Sequence, residues 1–301
     1  MNRRSLLFAL LAATVAAQVP PPRFKVALGL SARVLGRANR TDVTAAMKAW
    51  LPGSFKERKV NAEPAVEVFD SLDDIVQAMR QEKIDLATVG MDDFLVLEKK
   101  VPLAGLFSSQ VKNRITEQFV LLVRRDRAFK GLADLRGQSM VVLEGNRALL
   151  APTWLDTELL RRHLPVSVRH CARVAFAAKP ALAIMPVFFG QADAALVYRS
   201  GFETASELNP QLGRELTVLA ASPEYLSCVG AYRADAPAAS ADFYRQEVAH
   251  LPDTPGGRLM LNLFQSDALV EVKESDLRET RALLAEHARL LAGAQGKDGP
   301  P

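Results

Sequence analysis

The chain has few cysteines, few aromatic residues and, after its first 20 residues, no apolar run long enough to cross a membrane. It contains two cysteines and four histidines among 301 residues. No Cys/His spacing typical of a zinc site occurs, and the sequence contains neither a nucleophile elbow nor a phosphate-binding P-loop. We therefore expect a protein that is not an enzyme and that holds no metal or cofactor.

The scarce cysteines and histidines carry little further information. Cys171 and Cys228 would allow one disulfide in an oxidising compartment. Buried free thiols are the simpler interpretation, because two cysteines do not make a disulfide framework. The histidines are scattered over predicted helices and a strand, and we expect them to be solvated or to cap helices: His163, His170, His250 and His287.

Charge of either sign is also not in excess. The chain has 38 Lys and Arg against 34 Asp and Glu, a formal net charge of +4. Two of these charges, Arg3 and Arg4, lie in a segment that we expect to be removed. No basic stripe with interleaved aromatics is visible, so we expect no nucleic-acid partner.

The first residues resemble an export signal. Arg3 and Arg4 precede an apolar segment over residues 5–17, which ends in small residues and is followed by three prolines. A span of the bilayer needs about 20 residues, so this segment is too short for one. We predict a signal peptide over residues 1–17, cleavage before Gln18 and a periplasmic mature protein. An uncleaved anchor is the alternative, and no cysteine follows that could carry a lipid.

Strands and helices alternate along two stretches of the chain, which predicts an α/β fold with mostly parallel sheets. The first stretch is a strand over residues 24–30, a helix Val43–Leu51 capped by Thr41 or Asp42, a strand Ala65–Phe69, a helix capped by Ser71 and a strand Ile84–Val89. The second comprises Phe119–Arg124, Leu132–Leu135, Ser139–Leu143, Pro152–His163, a strand in Val166–Val174, Pro180–Phe189 and Ala192–Tyr198. Asp85 and Asp193 open similar strands in the two stretches, where an Asp can bind nearby backbone donors.

The last third of the chain departs from this rhythm. We predict strands at Glu215–Ala220 and Leu226–Arg233, and then three helices at Ser240–Leu251, Gly256–Leu263 and Ser275–Leu291. Residues 294–301 are rich in Gly, Pro and polar side chains, and we expect a disordered tail there.

Five short stretches follow one another in the order and spacing of a known family. They are Ile84–Gly90, Phe119–Asp126, Leu132–Gln138, Gly190–Ala195 and Leu219–Pro223, of which Leu132–Gln138 is the most diagnostic. Through them, residues 24–275 resemble the type II periplasmic binding proteins of ABC transporters, in the phosphate/phosphite/phosphonate group.

The resemblance implies a two-lobed fold, with a mostly parallel sheet flanked by helices in each lobe and a ligand cleft between them. Residues 24–117 plus 228–293 would form lobe 1, including the terminal helices, and residues 118–227 would form lobe 2. The chain would cross between lobes near Glu117–Leu122 and Ser227–Tyr232. Two such crossings predict hinge-like closure around a ligand.

The sequence departs from the family where phosphonate would bind. A Ser/Thr-rich helix start is replaced by Glu144–Leu149, which has no hydroxyl side chain, and a family histidine is absent from Ala177–Pro180. We therefore expect phosphate and phosphonates to bind weakly.

Candidate ligand-binding residues lie in loops beyond the carboxyl ends of the predicted strands. They are Ser31, Arg33, Gly90, Met91, Asp92, Asn146, Arg147, Tyr198 and Arg199, together with Lys179, which the resemblance places nearby. Arg33, Arg147 and Arg199 would suit a carboxylate or phosphate. Asp92 and Glu144 would suit a cationic or hydroxylated ligand, and the sequence leaves the two sets open. The adjacent pair Asp92 and Asp93 would point apart and cap a helix over Phe94–Lys99.

These observations predict a monomeric binding protein that captures a small polar ligand, anions included, between two lobes. Its partner would be an ABC permease in the membrane, or alternatively a membrane sensor to which it reports. An enzyme on the same fold is disfavoured by the missing acid–base and nucleophile sets. We expect Arg147→Ala to weaken ligand binding while leaving stability nearly unchanged.

Overall fold

The computed structural model describes residues 24–36 and 39–295, so the predicted signal peptide over residues 1–17 lies outside the described residues. Two mixed β-sheets form the centres of two lobes. In chain order the elements are β1 (Phe24–Ser31), α1 (Ala32–Leu35), α2 (Arg40–Glu57), β2 (Ala62–Phe69), α3 (Leu72–Arg80), β3 (Leu86–Gly90), α4 (Met91–Lys100), β4 (Leu103–Gln110), β5 (Glu117–Arg124), β6 (Ser139–Leu143), α5 (Ala151–Arg161), α6 (Ser167–His170), β7 (Arg173–Ala177), α7 (Pro180–Phe188), β8 (Ala194–Tyr198), α8 (Arg199–Leu208), α9 (Pro210–Glu215), β9 (Leu216–Tyr225), β10 (Cys228–Arg233), α10 (Ala238–His250), α11 (Pro255–Leu263), β11 (Ala268–Glu271) and α12 (Arg278–Gln295).

Each sheet combines parallel strands with antiparallel return strands. The first has the order β11-β4-β10-β3-β1-β2, in which β1 runs parallel to β2 and β3 while β10 is antiparallel to β3. The second has the order β7-β6-β8-β5-β9, in which β6 runs parallel to β7 and β8. Helices pack on both sheets because the apolar strands are buried on two faces. The predicted α/β fold with two lobes is confirmed.

The chain passes between the sheets twice, through residues 111–116 and 226–227. Both strands that we expected to cross lie entirely within one sheet. Glu117 already pairs with Tyr225 in the second sheet, and Cys228 pairs with Gly90 in the first. The crossings are therefore short connections just before β5 and β10, because strand pairing begins as soon as the chain reaches each sheet.

The C-terminal helix α12 contacts both lobes, whereas the sequence placed it with lobe 1. It packs along α5 of the second lobe, where Arg161 pairs with Glu286 and Thr157 Oγ1 lies 3.1 Å from His287 Nδ1. On the other side, Arg281 binds both oxygens of Glu98 on α4. The helix continues to Gln295, so the first residues of the expected disordered tail are helical. The rest of that tail lies outside the described residues.

Several local predictions are corrected by tertiary contacts. Asn39, not Thr41 or Asp42, caps α2, since its side chain accepts from both of their N–H groups. The expected strand in Val166–Val174 is replaced by α6 followed by β7. His170 is buried rather than solvated, and its Nε2 lies 3.0 Å from the carbonyl oxygen of Leu132.

The two cysteines are free and buried, one in each lobe.

Asp85 and Asp193, which open similar strands in the sequence, differ in their contacts. Asp193 accepts a hydrogen bond from the Ser139 N–H, as predicted, whereas Asp85 accepts from the buried guanidinium of Arg233. Within residues 24–36 and 39–295, none of the helices combines the length and apolarity that a bilayer span requires.

Candidate functional site

A cavity of about 240 Å³ lies between the two lobes. Its lobe 1 wall comes from α1, α2 and the end of α11, and its lobe 2 wall comes from the loops that follow β6, β7 and β8. The lining residues are Val34, Leu35, Val43, Leu263, Phe264 and Gln265 on one side and Glu144, Gly145, Asn146, Arg147, Ala148, Ala178, Lys179 and Tyr198 on the other. The carboxyl ends of parallel strands meet at one edge of a sheet, which is why these three loops converge.

The lobes touch at the edge of this cavity. The Asn146 side-chain amide of lobe 2 donates to the Phe264 carbonyl oxygen of lobe 1 at 3.4 Å. Gly36 approaches Gly145 so closely that a Cβ on Gly36 would lie 3.2 Å from the Gly145 Cα atom. The lobes therefore meet at this edge, and a small molecule in the cavity would contact both of them.

Lys179 is a lobe 2 cation in this cavity with no carboxylate at ion-pair distance among the described residues. It occupies the N-cap position of α7, and its side chain accepts no capping hydrogen bond. The N-terminal end of a helix carries a partial positive charge. In α7 that charge is the main contribution, because Pro180 has no N–H and the Leu182 N–H donates to the Lys179 carbonyl oxygen at 3.0 Å. The ammonium group and this helix end together favour a negatively charged group in the cavity.

Arg147 lines the cavity, but its guanidinium is bound within the protein. Its Nε donates to Glu117 Oε1 at 2.6 Å, a terminal nitrogen lies 3.0 Å from Ser200 Oγ, and the guanidinium carbon lies 4.2 Å from the centre of the Tyr198 ring. Ser227 Oγ donates to the Arg147 carbonyl oxygen at 3.0 Å. The Arg147 and Glu117 side chains are only 15% and 14% exposed. This cluster joins the loop after β6 to the starts of β5 and α8 and to the second crossing.

Arg33 forms ion pairs with both Asp92 and Asp93, at 2.7 Å and 2.9 Å. The prediction that these aspartates point apart and cap a later helix is wrong. Helix α4 begins at Met91, so both lie in its first turn, where one guanidinium reaches both carboxylates. Burial, and then the neighbouring charge of Asp92, raise the pKa of Asp93, while Arg33 opposes this shift.

The structure brings together only part of the predicted site set. Asn146, Arg147, Lys179 and Tyr198 line the cavity. Six others lie elsewhere: Ser31, Gly90 and Met91 are buried at strand ends, Arg33 and Asp92 pair with each other, and Arg199 donates to the Gln118 side chain. The sequence left open whether the basic or the acidic set faces the ligand. In the structure the guanidinium groups of Arg33, Arg147 and Arg199 each have a partner within the protein.

Sequence reasoning missed the whole lobe 1 wall. Leu263, Phe264 and Gln265 come from the end of α11, far along the chain from any predicted strand end. Val34, Leu35 and Val43 are apolar, and the sequence offers no signal that separates them from ordinary core residues. Only the packing of α11 beside α1 and α2 places them at the cleft.

Two sheets joined by two short crossings, with a cavity at the strand ends between them, define a two-lobed ligand-binding protein. A family model described as ABC transporter, phosphonate, periplasmic substrate-binding protein matches residues 54–277. The chain belongs to this family, and it captures a small solute between its lobes for delivery to an ABC permease.

Solved structures agree with this assignment at the level of the fold. XAC2383 from Xanthomonas citri, solved with chloride and with ATP bound, superposes with a TM-score of 0.62 in the chloride form at 14% identity, covering 89% of this chain and 99% of that chain. A binding component of an ABC phosphonate transporter from Pseudomonas aeruginosa gives 0.60 at 14% identity, covering 90% and 88%. PhnD1 from Prochlorococcus marinus, solved with methylphosphonate, gives 0.56 at 13% identity, covering 86% and 96%. No curated protein sequence matches this chain.

Proposed function

We propose that the transported ligand is a small solute whose anionic group binds between Lys179 and the N-terminal end of α7. The observation that carries this proposal is the position of Lys179, which faces the cleft without a carboxylate partner among the described residues. The arginines near the cleft contribute less, because Arg33 and Arg147 are neutralised by carboxylates of the chain itself. The family supports a small-molecule ligand and a permease partner.

The same reasoning argues against phosphate and methylphosphonate as the preferred ligands. The loop from Glu144 to Leu149 supplies no hydroxyl group and introduces the carboxylate of Glu144 into the cavity wall. A dianionic phosphonate would find no hydroxyl donor in this loop. A carboxylate or another singly charged group is easier to accommodate beside Lys179.

A ligand screen by thermal shift tests this proposal. A ligand at 100 times its Kd adds about 2.7 kcal/mol of stability, which is easily detected. Hits should be anions, and Lys179→Ala should weaken them at least tenfold in calorimetry. Lys99→Ala, on the outer surface of α4, removes an equal charge away from the cleft and should leave affinity unchanged. Hits that bind equally to both variants would exclude Lys179 from the site.

We further propose that the protein acts as a monomer in the periplasm after removal of residues 1–17. Support comes from the sequence of the first residues and from the family, whose members are periplasmic. Intact mass of protein from the periplasmic fraction should correspond to a chain that begins at Gln18. A full-length chain in the membrane fraction would contradict this.

A further inference from the structure

Lobe 1 contains a second cavity, of about 130 Å³, between its sheet and the helices α2, α10 and α11. Its floor is formed by β1, β3, β4 and β10, and its roof by side chains such as Met47, Phe243 and Met260. Natural protein cores contain few voids larger than a water molecule. A cavity of this size therefore needs a physical reason.

Three polar side chains in the cavity wall, Tyr244, Ser108 and Glu247, are already hydrogen-bonded within the protein. Tyr244 donates to the Ala27 carbonyl oxygen at 3.2 Å, and Ser108 donates to the Cys228 carbonyl oxygen at 2.8 Å. Glu247 accepts from both Ser54 and Arg58, each at 2.8 Å. The buried indole N–H of Trp50 is an exception, since it has no partner within the described part of the chain. A guest in this cavity would therefore be mainly apolar, with room for an acceptor near Trp50.

The apolar cavity adjoins the cleft. Val34, Asn146 and Phe264 line both spaces and so form a wall that the two share. Asn146 belongs to lobe 2 and binds the Phe264 carbonyl oxygen, which places the shared wall at the contact between the lobes. A molecule anchored at Lys179 could extend past this wall into lobe 1.

We propose that the ligand is amphiphilic, with its anionic end at Lys179 and an apolar arm that occupies the lobe 1 cavity. This inference rests on the proposed function for the position of the anionic end. The arm is a short alkyl chain or a single aromatic ring, because an apolar cavity of about 150 Å³ is known to hold benzene. An apolar arm also accounts for a cleft whose lobe 1 wall is mainly apolar, where a purely polar solute would leave Val34, Leu35 and Phe264 without a function in binding.

Two homologous series test the arm. Straight-chain carboxylates from acetate to octanoate, and alkylphosphonates from methyl to octyl, are titrated by calorimetry. We expect affinity to rise about three- to fourfold for each methylene group that enters the cavity, and to stop rising once the cavity is full. Val248→Phe enlarges a half-buried residue of α10 that lines the cavity. It should abolish the extra affinity of the long-chain ligands and leave the affinity of the short-chain ligands unchanged.

Matched controls separate filling of the cavity from a general effect of the substitution. Val96→Phe makes the same change on the exposed face of α4, away from both cavities, and should keep the dependence on chain length. Leu269→Phe on the edge strand β11 fills the cavity from its other end and replaces Val248→Phe if that variant fails to fold. A chain-length dependence that survives both filling variants would overturn the inference.

The outcomes also distinguish this inference from the proposed function. If short members bind through Lys179 with no gain from added methylenes, the anionic site stands and the apolar arm is wrong. If no member of either series binds, the anionic site is wrong. Stabilisation by benzene then tests whether the lobe 1 cavity accepts an apolar guest. Benzene that stabilises the wild type but not Val248→Phe supports an apolar guest in lobe 1, and benzene without effect on the wild type refutes it.

Discussion

At the scale of single residues, Arg147 shows how a plausible ligand contact becomes a structural one. Its guanidinium is held by Glu117, Ser200 and the Tyr198 ring, and both charged side chains are largely buried. Removing one member of a buried ion pair leaves an uncompensated charge, which costs far more than a surface pair. The expectation that Arg147→Ala leaves stability nearly unchanged is therefore wrong in its premise.

We predict that Arg147→Ala lowers the free energy of unfolding by about 2–4 kcal/mol in urea titrations. The double variant Arg147→Ala/Glu117→Ala should recover much of this loss, because the two side chains are coupled. If the losses of unfolding free energy in the two single variants simply add in the double variant, the pair contributes no coupling energy. Arg147 would then again be a candidate for contact with the ligand.

The two cysteines give a second prediction at this scale. Burial raises the pKa of the Cys171 thiol to about 11 and that of Cys228 to about 12. With an ordinary value of 9.0, the thiolate fraction of Cys171 at pH 8 falls about 100-fold. In the native protein both should react slowly with a thiol dye, at rates that increase with pH, and denatured protein should show two free thiols. Oxidant or reductant should leave Tm unchanged; a shift in Tm with reductant would indicate a disulfide.

Because both thiol pKa values are raised, they also determine whether alkaline pH raises or lowers the stability of the fold. Above pH 9 the unfolded chain loses thiol protons that the folded chain retains, so stability falls as the pH rises further. Nothing in the sequence around either cysteine predicts this, because burial of a thiol depends on the helices and strands packed over it. By contrast, Lys179 was a candidate from the sequence, because the resemblance places it near the ligand-binding loops, and in the structure it lines the cavity.

At the scale of elements, α12 secures the second crossing between the lobes. Thr280 is fully buried, and its hydroxyl accepts from the Leu226 N–H at 3.0 Å and lies 3.3 Å from the Leu226 carbonyl oxygen. Leu226 is one of the two residues that connect β9 to β10. The hydroxyl thus replaces the strand partner that this stretch of backbone lacks.

We predict that Thr280→Val, which keeps the shape but removes the hydroxyl, costs about 1–3 kcal/mol of unfolding free energy. Thr280→Ser keeps the hydroxyl and should lose only the contribution of one methyl group, about 1 kcal/mol. If the valine variant proves as stable as the serine variant in urea, the hydroxyl does not anchor the crossing.

The elements that sequence predicts best are the buried parallel strands. Both β6 and β8 are short apolar runs that end at a loop, and both were placed to within two residues. The run Val166–Val174 was misread because its first valines alternate with Ser167 and Arg169, and so short an alternation does not distinguish a strand from a helical turn. Strand β4 was not predicted, because its residues are only half-buried and include Gly105 and two serines. The position of α12 depends on long-range contacts with α5, which no local pattern encodes.

At the scale of the whole molecule, the family and the residues of the binding site predict different ligands. The chain belongs to the phosphonate-binding family, while the loop Glu144–Leu149 has no hydroxyl side chain where the resemblance predicts hydroxyls that hold phosphonate oxygens. Each charge-assisted hydrogen bond is worth about 1.5–3 kcal/mol, so losing two or three weakens binding by several powers of ten. We predict no calorimetric signal with methylphosphonate or phosphate at micromolar concentrations. PhnD1, solved with methylphosphonate, is the positive control, and micromolar affinity in this protein would refute the prediction.

Closure of the lobes is the property that a permease can detect, because a ligand shifts the population toward the closed form. The structure suggests what limits closure. Gly36 of lobe 1 meets Gly145 of lobe 2, and a side chain at Gly36 would intrude on this contact. Two short crossings allow bending but resist sliding, so the motion should be a hinge. We predict that a ligand found by thermal shift lowers the radius of gyration of the wild type in small-angle scattering.

Gly36→Leu should hold the lobes apart, so that the radius of gyration no longer falls with ligand and the affinity drops. Gly36 has a positive φ of 57°, so leucine there adds backbone strain as well as bulk. Gly190→Leu controls for strain alone, because Gly190 has a φ of 71° but no neighbour within 4 Å of an added Cβ. The control should lose stability yet close normally. If Gly36→Leu closes like its control, this contact does not limit closure. If the radius of gyration of the wild type does not change at saturating ligand, the hinge model itself is refuted.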